Sequence, residues 1–593
     1  MRTPSLLMFL IACGGRGCGD GCGPDDTGHT GDPCADEDKS TWFADNDDDG
    51  HGDAAAPVEA CDQPSGAVAS SDDCDDGDGA VWEEGEVYLD GDGDGFGAGA
   101  TVEQCGLPTG YAAVDGDCDD EAAAVYPDAE VTCGNGIDDD CDGLGDCADP
   151  TEASQEDLVL ARISGEDGGF GATVTIPGDL DGDGLVDLSV GAPEADGAGA
   201  AYLFGSPVAN QTSTSDAVAA AVGASADILA GTGITFGDLD DDADLDWVIS
   251  APEGHYLDGG ATIYVLHGPQ VGTVTLAEGA GVSVLQAAAG WSMDAGSDIQ
   301  GSDADDLLFT NPGGVLLLPG PFEEGTEFAE DLKYGSFSST SSDDGQRVMV
   351  AGDVTGDGQP DVFIGAPEDG SGVDAGDTRD DAGNAYLIDE VSDFRDGDDS
   401  GGAATYARVR ILGERSGSRL GASLSPAGDI DQDGYADVLV GAPEWSPSSG
   451  TTAKGAAYLY SGADLTALDE GDVLFAEDGE AQFYGEEDDQ QLGYGLAGGA
   501  DLDGDGAPDI VVGVPGYDGD QGLTLVWFGP VRGDQDMDEA DLTLTGEAAG
   551  DRFGQAVDAG GDFNGLGWDD LVVGAPGAGG GDGEVTVFAF DRL

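Results

Sequence analysis

The sequence predicts an all-β chain: a seven-bladed β-propeller preceded by a small, loop-rich, disulfide-bonded module. Three observations lead there. A unit of spaced aspartates running into an apolar, β-branched segment recurs seven times after residue 157. The chain holds 105 glycines, which demands frequent turns. All 11 cysteines fall between Cys13 and Cys147, so the amino-terminal region is built differently from the repeats.

At 593 residues the chain is expected to form two or three domains. Its 125 acidic and 16 basic residues give a net charge of −109. Nothing in that balance could neutralise phosphates, so nucleic acid is excluded as a partner. Such self-repulsion calls for bound cations or a salty medium. Apolar residues make up 39%, enough to bury a core.

The amino terminus, "MRTPSLLMFLIAC", has one arginine, a short apolar run and then Leu10-Ile11-Ala12-Cys13. It resembles a bacterial lipoprotein signal, which implies lipidation of Cys13 and a signal peptide over residues 1–13. The apolar run is too short to span a bilayer. A Gly-rich acidic linker follows over 14–33, then a Cys/Asp-rich module over 34–150. Ten cysteines remain after Cys13, and an even number in an exported chain favours disulfides.

The repeat sets the architecture of residues 157–593. "GDLDGDGLVDLSVGAP" (178–193) returns as "GDLDDDADLDWVISAP" (237–252), "SDIQGSDADDLLFTNP" (297–312) and "GDVTGDGQPDVFIGAP" (352–367). "GDIDQDGYADVLVGAP" (428–443), "ADLDGDGAPDIVVGVP" (500–515) and "GDFNGLGWDDLVVGAP" (561–576) complete the set. In all seven, the first aspartate and the last proline are fourteen positions apart, a rigid unit between tolerant loops. Each unit reads as four short strands, the pattern of a propeller blade. "LVLARISG" (158–165) matches the strand that precedes later units but precedes the first. It is therefore expected to complete the seventh blade beside "EVTVFAF" (584–590) and close the ring.

The Phe-Gly pairs ("FGATVTIPGD", "FGQAVDAGGD"), the Asp-x-Asp-x-Asp-Gly-x-x-Asp loop and the Gly-Ala-Pro together resemble the FG-GAP repeat of integrin alpha-subunit propellers. The resemblance implies that each acidic loop is a hairpin between the first two strands of a blade and cages calcium. It also implies that ligands are recognised on the opposite face.

The residues support the cage on their own terms. Calcium takes six to eight oxygens at about 2.3–2.6 Å, which several carboxylates on a tight loop can supply. Blades one, two, five and six carry the full set: Asp179, Asp181, Asp183 and Asp187; Asp238, Asp240, Asp242 and Asp246; Asp429, Asp431, Asp433 and Asp437; Asp501, Asp503, Asp505 and Asp509. Blade four is partial, with Thr355 between Asp353 and Asp357 and with Asp361 closing. Blade three offers Asp298, Gln300, Ser302 and Asp306, and blade seven has Leu566 at a ligand position; neither is expected to bind tightly.

Catalysis is not expected. Paired acids need different environments and a cleft, whereas these are near-copies on one rim. The four histidines, His29, His51, His255 and His267, are not in HExxH spacing, and His255 reads as an exposed loop residue. The triplet Arg532-Gly533-Asp534 reads as coincidence. The longest recognition loops are expected at 368–384 and 444–455, with Trp445 as an exposed anchor.

Within the amino-terminal module, residues 43–82 align with 88–126, and Cys61 and Cys74 correspond to Cys105 and Cys118. Cys133, Cys141 and Cys147 follow the second copy. This resembles the metal-binding repeat of MopE-type bacterial surface proteins, some of which bind copper. The residues themselves favour calcium: Asp45, Asp47 and Asp49 and Asp90, Asp92 and Asp94 are hard oxygen donors. Disulfides among these seven cysteines are expected to hold the module. The resulting expectation is an exported, lipid-anchored, non-enzymatic surface protein, with calcium as cofactor and a protein or glycan as partner.

Overall fold

The structure, a computed structural model, describes residues 39–125 and 155–590 with interruptions, the longest at 75–83, 253–261, 371–380 and 390–402. Two compact units divide the chain, Met1–Asp146 and Cys147–Leu593.

In the second unit each acidic repeat opens a sheet. The first sheet runs Thr173–Gly178, Asp187–Ala192, Ala200–Phe204 and Ala219–Gly223, each antiparallel to the next. Six further sheets repeat this order. The second strand is buried at every position in Asp187–Ala192, Asp246–Ala251, Asp361–Ala366, Asp437–Ala442 and Asp570–Ala575. A strand covered on both faces has no polar side to alternate, which is why the sequence reads there as a continuous apolar run.

The innermost strands pack one against the next around the unit, and Ala556–Ala559 of the seventh sheet packs against Thr173–Gly178 of the first. They surround an axial cavity of about 670 Å³ whose wall draws residues from all seven, from Val174 to Val557. The ring is closed as the repeat implies: Val159–Ser164 pairs antiparallel with Glu584–Ala589. This joins the two ends of the repeat array in one sheet.

The Phe-Gly positions weld neighbouring blades. Phe170, Ala230, Leu420, Leu492 and Phe553 are buried, and each bridges a glycine of the preceding blade: Gly583, Gly199, Gly383, Gly455 and Gly522. The glycine that follows must turn left-handed; Gly231 has φ +84°, and a Cβ there would sit 2.2 Å from the Ala200 carbonyl oxygen.

One device was not legible in the repeat. Four sheets carry a fifth, outermost strand parallel to the fourth and donated by the next blade: Gly272–Leu276, Gly325–Phe328, Asp472–Phe475 and Gly533–Asp536. These strands cover edges that would otherwise expose unpaired backbone groups. On the sixth blade, the edge strand Leu542–Thr545 meets a side chain instead. The Gln155 amide donates to Thr545 O at 2.9 Å, and its oxygen accepts from Thr545 N at 2.8 Å.

The first unit holds two small sheets, one for each sequence copy. Asp53–Ala60, Ser40–Ala44 and Ala67–Val68 form one; Tyr111–Ala112, Glu84–Leu89, Phe96–Cys105 and Val114–Asp115 form the other. The copies share their turn geometry: Asp45 N donates to Gly66 O at 3.1 Å, and Asp90 N to Gly110 O at 3.0 Å. A Cys74–Cys105 disulfide links one copy to the other across 31 residues. Closing a loop of that length contributes about 3–4 kcal/mol, which matters where the apolar core is thin. Cys61 and Cys118 are also disulfide-bonded. Cys13, Cys133, Cys141 and Cys147 lie outside the described residues.

Candidate metal cages

Among the described residues, each acidic loop is the hairpin between the first and second strands of its blade. Just before the first aspartate the inner strand slips register at Gly178, Gly352 and Gly428, all at positive φ. Such a bulge turns the chain out of the ladder. The first aspartate then folds the loop: Asp179 accepts backbone N–H bonds from Gly182 and Gly184, both at 2.8 Å. The fourth aspartate anchors it from below. Asp187 is fully buried and accepts from Leu180 at 2.8 Å and Asp181 at 2.9 Å. Asp246, Asp437 and Asp509 take the first of these bonds from Leu239, Ile430 and Leu502, and Asp361 takes the second from Thr355.

Among the described residues, acidic donor oxygens converge within 4.8 Å of one another in four hairpins. The trios are Asp179, Asp181 and Asp187; Asp238, Asp240 and Asp242; Asp429, Asp431 and Asp437; and Asp501, Asp503 and Asp509. These are the four blades with a complete aspartate set. In three of them the third aspartate is not in the trio, and in all four it caps the loop, as Asp242 does by accepting from Asp244 N at 3.0 Å. Asp183, Asp433 and Asp505 accept from Leu185, Tyr435 and Ala507 at 2.9, 3.0 and 2.7 Å. Blade four makes no such trio: Thr355 Oγ1 donates to Asp361 Oδ1 at 3.4 Å, with Asp353 and Asp357 exposed or half-exposed at the loop.

Gathering carboxylates without a counter-ion is costly, and their titration shows it. Burial pushes Asp187, Asp361, Asp437 and Asp509 up to about 7, against the downward pull of their backbone N–H bonds. Burial, with the charge of Asp246 adding to it, takes Asp240 to about 6, while His267 opposes the rise. Asp181 and Asp503 are raised by burial too, with neighbouring aspartates adding to the rise. Asp187 Oδ1, Asp240 Oδ1 and Asp501 Oδ1 are buried and accept no hydrogen bond. Buried acceptors left this way are destabilising, and a divalent cation held by these oxygens would satisfy them. The all-oxygen donor set of blades one, five and six fits a hard cation.

The FG-GAP repeat pattern matches residues 170–204, 420–460, 492–528 and 553–588, which are blades one, five, six and seven. The second unit is an integrin alpha-like FG-GAP propeller. Its relatives include integrin alpha-PS5 of Drosophila melanogaster, 34% identical over 169 residues, covering 28% of this chain and 14% of that one. Integrin alpha-V of Gallus gallus is 31% identical over 166 residues, covering 28% and 14%. Integrin alpha-7 of Homo sapiens is 29% identical over 280 residues, covering 47% and 20%. The matched segment thus spans a fifth or less of each relative's length. The MopE metal-binding motif matches residues 73–85 and 117–146. The second unit is thus an FG-GAP propeller with repeated acidic clusters whose oxygens could hold divalent cations.

The FG-GAP propeller corrects one expectation. Trp445 is not an exposed anchor: it is 9% exposed and stacks on Tyr484 with ring centroids 4.6 Å apart. The loop turns back, with Lys454 N and Gly455 N donating to Trp445 O, and lays the indole on the blade's fourth strand. Arg532 of the Arg-Gly-Asp triplet is held by Glu480 at 2.6 Å and by Asp431 of the blade-five cage at 3.2 Å, and Gly533–Asp536 is a donated edge strand.

Other predicted residues are placed as follows. In the first unit, Asp45 is buried beneath its loop and accepts from Gly50 N at 3.3 Å, with Oδ1 buried and accepting no bond. Asp47, Asp90 and Asp92 lie on the same hairpin loops, while Asp49 and Asp94 fall outside the described residues. Also outside them are His29, His255, Gln300, Ser302 and loop residues 371–380 and 448–451. His51 Nδ1 lies 3.0 Å from Asp72.

Sequence reasoning passed over His267, which lies in the second cage. It stands just before Gly268-Pro269 at the end of a third strand; strand register there was the signal.

Proposed function

We propose that the chain is an exported, non-enzymatic binding protein of the adhesion class, held at a bacterial cell surface through a lipid on Cys13. Calcium in the complete cages fixes the propeller's shape. The loops on the opposite rim recognise a protein or glycan partner.

The observation that carries this reading is the placement of the cages. All lie on loops between first and second strands, so the ring puts them on one rim and frees the other. That other rim holds the Gly-Ala-Pro turns and the connections between blades. At the cavity mouth there, Arg347 and Arg419 stand with Tyr494, which is 44% exposed. Arg419 is braced by Glu368 at 2.5 Å and Glu444 at 3.2 Å. In a chain with 125 acidic and 16 basic residues, a mouth where two arginines meet two glutamates is a local balance of charge. Among the described residues no helix is long and apolar enough to cross a membrane.

The test is binding of the full chain to glycan arrays and to panels of surface proteins, with calcium and with chelator. Capture that needs calcium supports the reading. Calcium uptake without capture of anything would leave a metal-binding structural coat protein, the second reading, which the MopE motif favours.

A further inference from the structure

The second cage differs from the other three in one donor. His267 follows the third strand, Thr262–Leu266, and its imidazole is 9% exposed, with Nδ1 buried. Nδ1 lies 3.1 Å from Asp240 Oδ2 and 3.4 Å from Asp246 Oδ2. The three residues offer donor atoms that all lie within 4.8 Å of one another, and Asp238, Asp240 and Asp242 form an overlapping trio.

Strand register shows that this is a substitution within a shared site. Leu188 pairs with Phe204 in blade one, and Trp247 with Leu266 in blade two, so Gly205 and His267 occupy equivalent positions. A Cβ built on Gly205 would stand 3.0 Å from Asp181 Oδ2 and 3.6 Å from Asp187 Oδ1. A side chain here can lean into the cage or away from it: in blade six the equivalent Phe528 packs on Phe590, whereas His267 leans in. Blade one leaves the space to oxygen donors, and blade two fills it with an imidazole. Asp246 is fixed beside it by Gly268 N, 2.9 Å from Oδ1, and by Leu239 N, 3.0 Å from Oδ2.

An imidazole changes which ion fits. Calcium and magnesium favour oxygen shells, whereas neutral imidazole suits first-row transition ions. Tetrahedral bonds of about 2.0–2.1 Å put neighbouring donors about 3.3–3.4 Å apart, close to the two distances observed. We propose that the second cage, built from His267, Asp240 and Asp246 with Asp238 and Asp242 at its mouth, is a mixed nitrogen–oxygen site for a first-row transition dication such as zinc. The other complete cages are oxygen sites for calcium. This inference rests on reading the acidic hairpins as cation cages.

The experiment is equilibrium dialysis of the full chain against micromolar zinc in millimolar calcium, with metal content measured on wild type, H267Q, H267G and D181N. Wild type is expected to hold one zinc more than H267Q or H267G, with zinc affinity lowered about tenfold or more at the altered site. H267G, which restores the blade-one residue, is expected to gain one calcium. Equal zinc content in wild type and both variants overturns the proposal, as does complete displacement of that zinc by calcium. Failure of the underlying reading shows separately: calcium content would then be the same in wild type and D181N.

Discussion

The hairpins of blades one and seven fold alike with different equipment. In blade one, Asp179 binds the backbone N–H groups of Gly182 and Gly184, and Asp187 binds those of Leu180 and Asp181. In blade seven, Asp562 binds Gly565, Leu566 and Gly567, and Asp570 binds Phe563 at 2.8 Å. Yet the middle positions of blade seven are Asn564 and Leu566, and Leu566 is 64% exposed. The first and fourth aspartates therefore build the loop, and the middle ones decide whether it can hold an ion. A hairpin can lose its metal and keep its shape.

That division can be broken most forcefully at the fourth aspartate. D187A and D570A each strand buried N–H donors, at about 1–3 kcal/mol for each unsatisfied group. In chelator both variants should lose about 1–4 kcal/mol in denaturant unfolding, and in calcium D187A should lose about 2.7 kcal/mol more, because Asp187 is also a donor of the blade-one cage. A loss confined to D187A would show that the anchor is not shared.

The middle positions should behave differently. D181N should equal or exceed wild type in chelator, because it removes a half-buried charge from the metal-free cage, and should lose the calcium-dependent stabilisation of about 2.7 kcal/mol, that of one site at one hundred times its dissociation constant. In blade seven, N564D/L566D should add one calcium per chain by dialysis.

Proton linkage sharpens the same contrast. Asp187, Asp437 and Asp509 titrate near 7 when metal-free, above the ordinary value of 3.8. Their protonated form is favoured by folding, so that stability is complete below about pH 4 and lost as pH rises through about 7. Without calcium the chain should melt higher at pH 5 than at pH 7.5. With calcium the order should reverse, because protons compete for the ligand oxygens. Melting curves at the two pH values, with and without chelator, check both signs.

The smallest effect belongs to Ala243. It has φ +74° where Gly184, Gly434 and Gly506 stand in blades one, five and six. An alanine in this conformation is strained by about 1 kcal/mol, so A243G should stabilise the chain by up to about that amount in denaturant unfolding.

Much of the propeller could be read from the sequence because its signals are local. Fixed spacing from aspartate to proline marks the cage and the buried second strand, and the leading strand Val159–Ser164 announces its own pairing. What could not be read depends on distant partners. Gly533–Asp536 is held by backbone bonds to the preceding blade and carries no apolar alternation. Trp445 is buried by Tyr484, 39 positions away on the fourth strand of the same blade. His267 enters its cage only through the register of the third strand, and one histidine in a run of text carries no such mark.

Thermal unfolding of the full chain, in excess calcium and again after chelation, tests most directly whether the cages hold calcium that stabilises the blades. With several cages each contributing about 2.7 kcal/mol, chelation should lower the propeller's Tm by about 10 °C or more. Superimposable curves in calcium and chelator would contradict it.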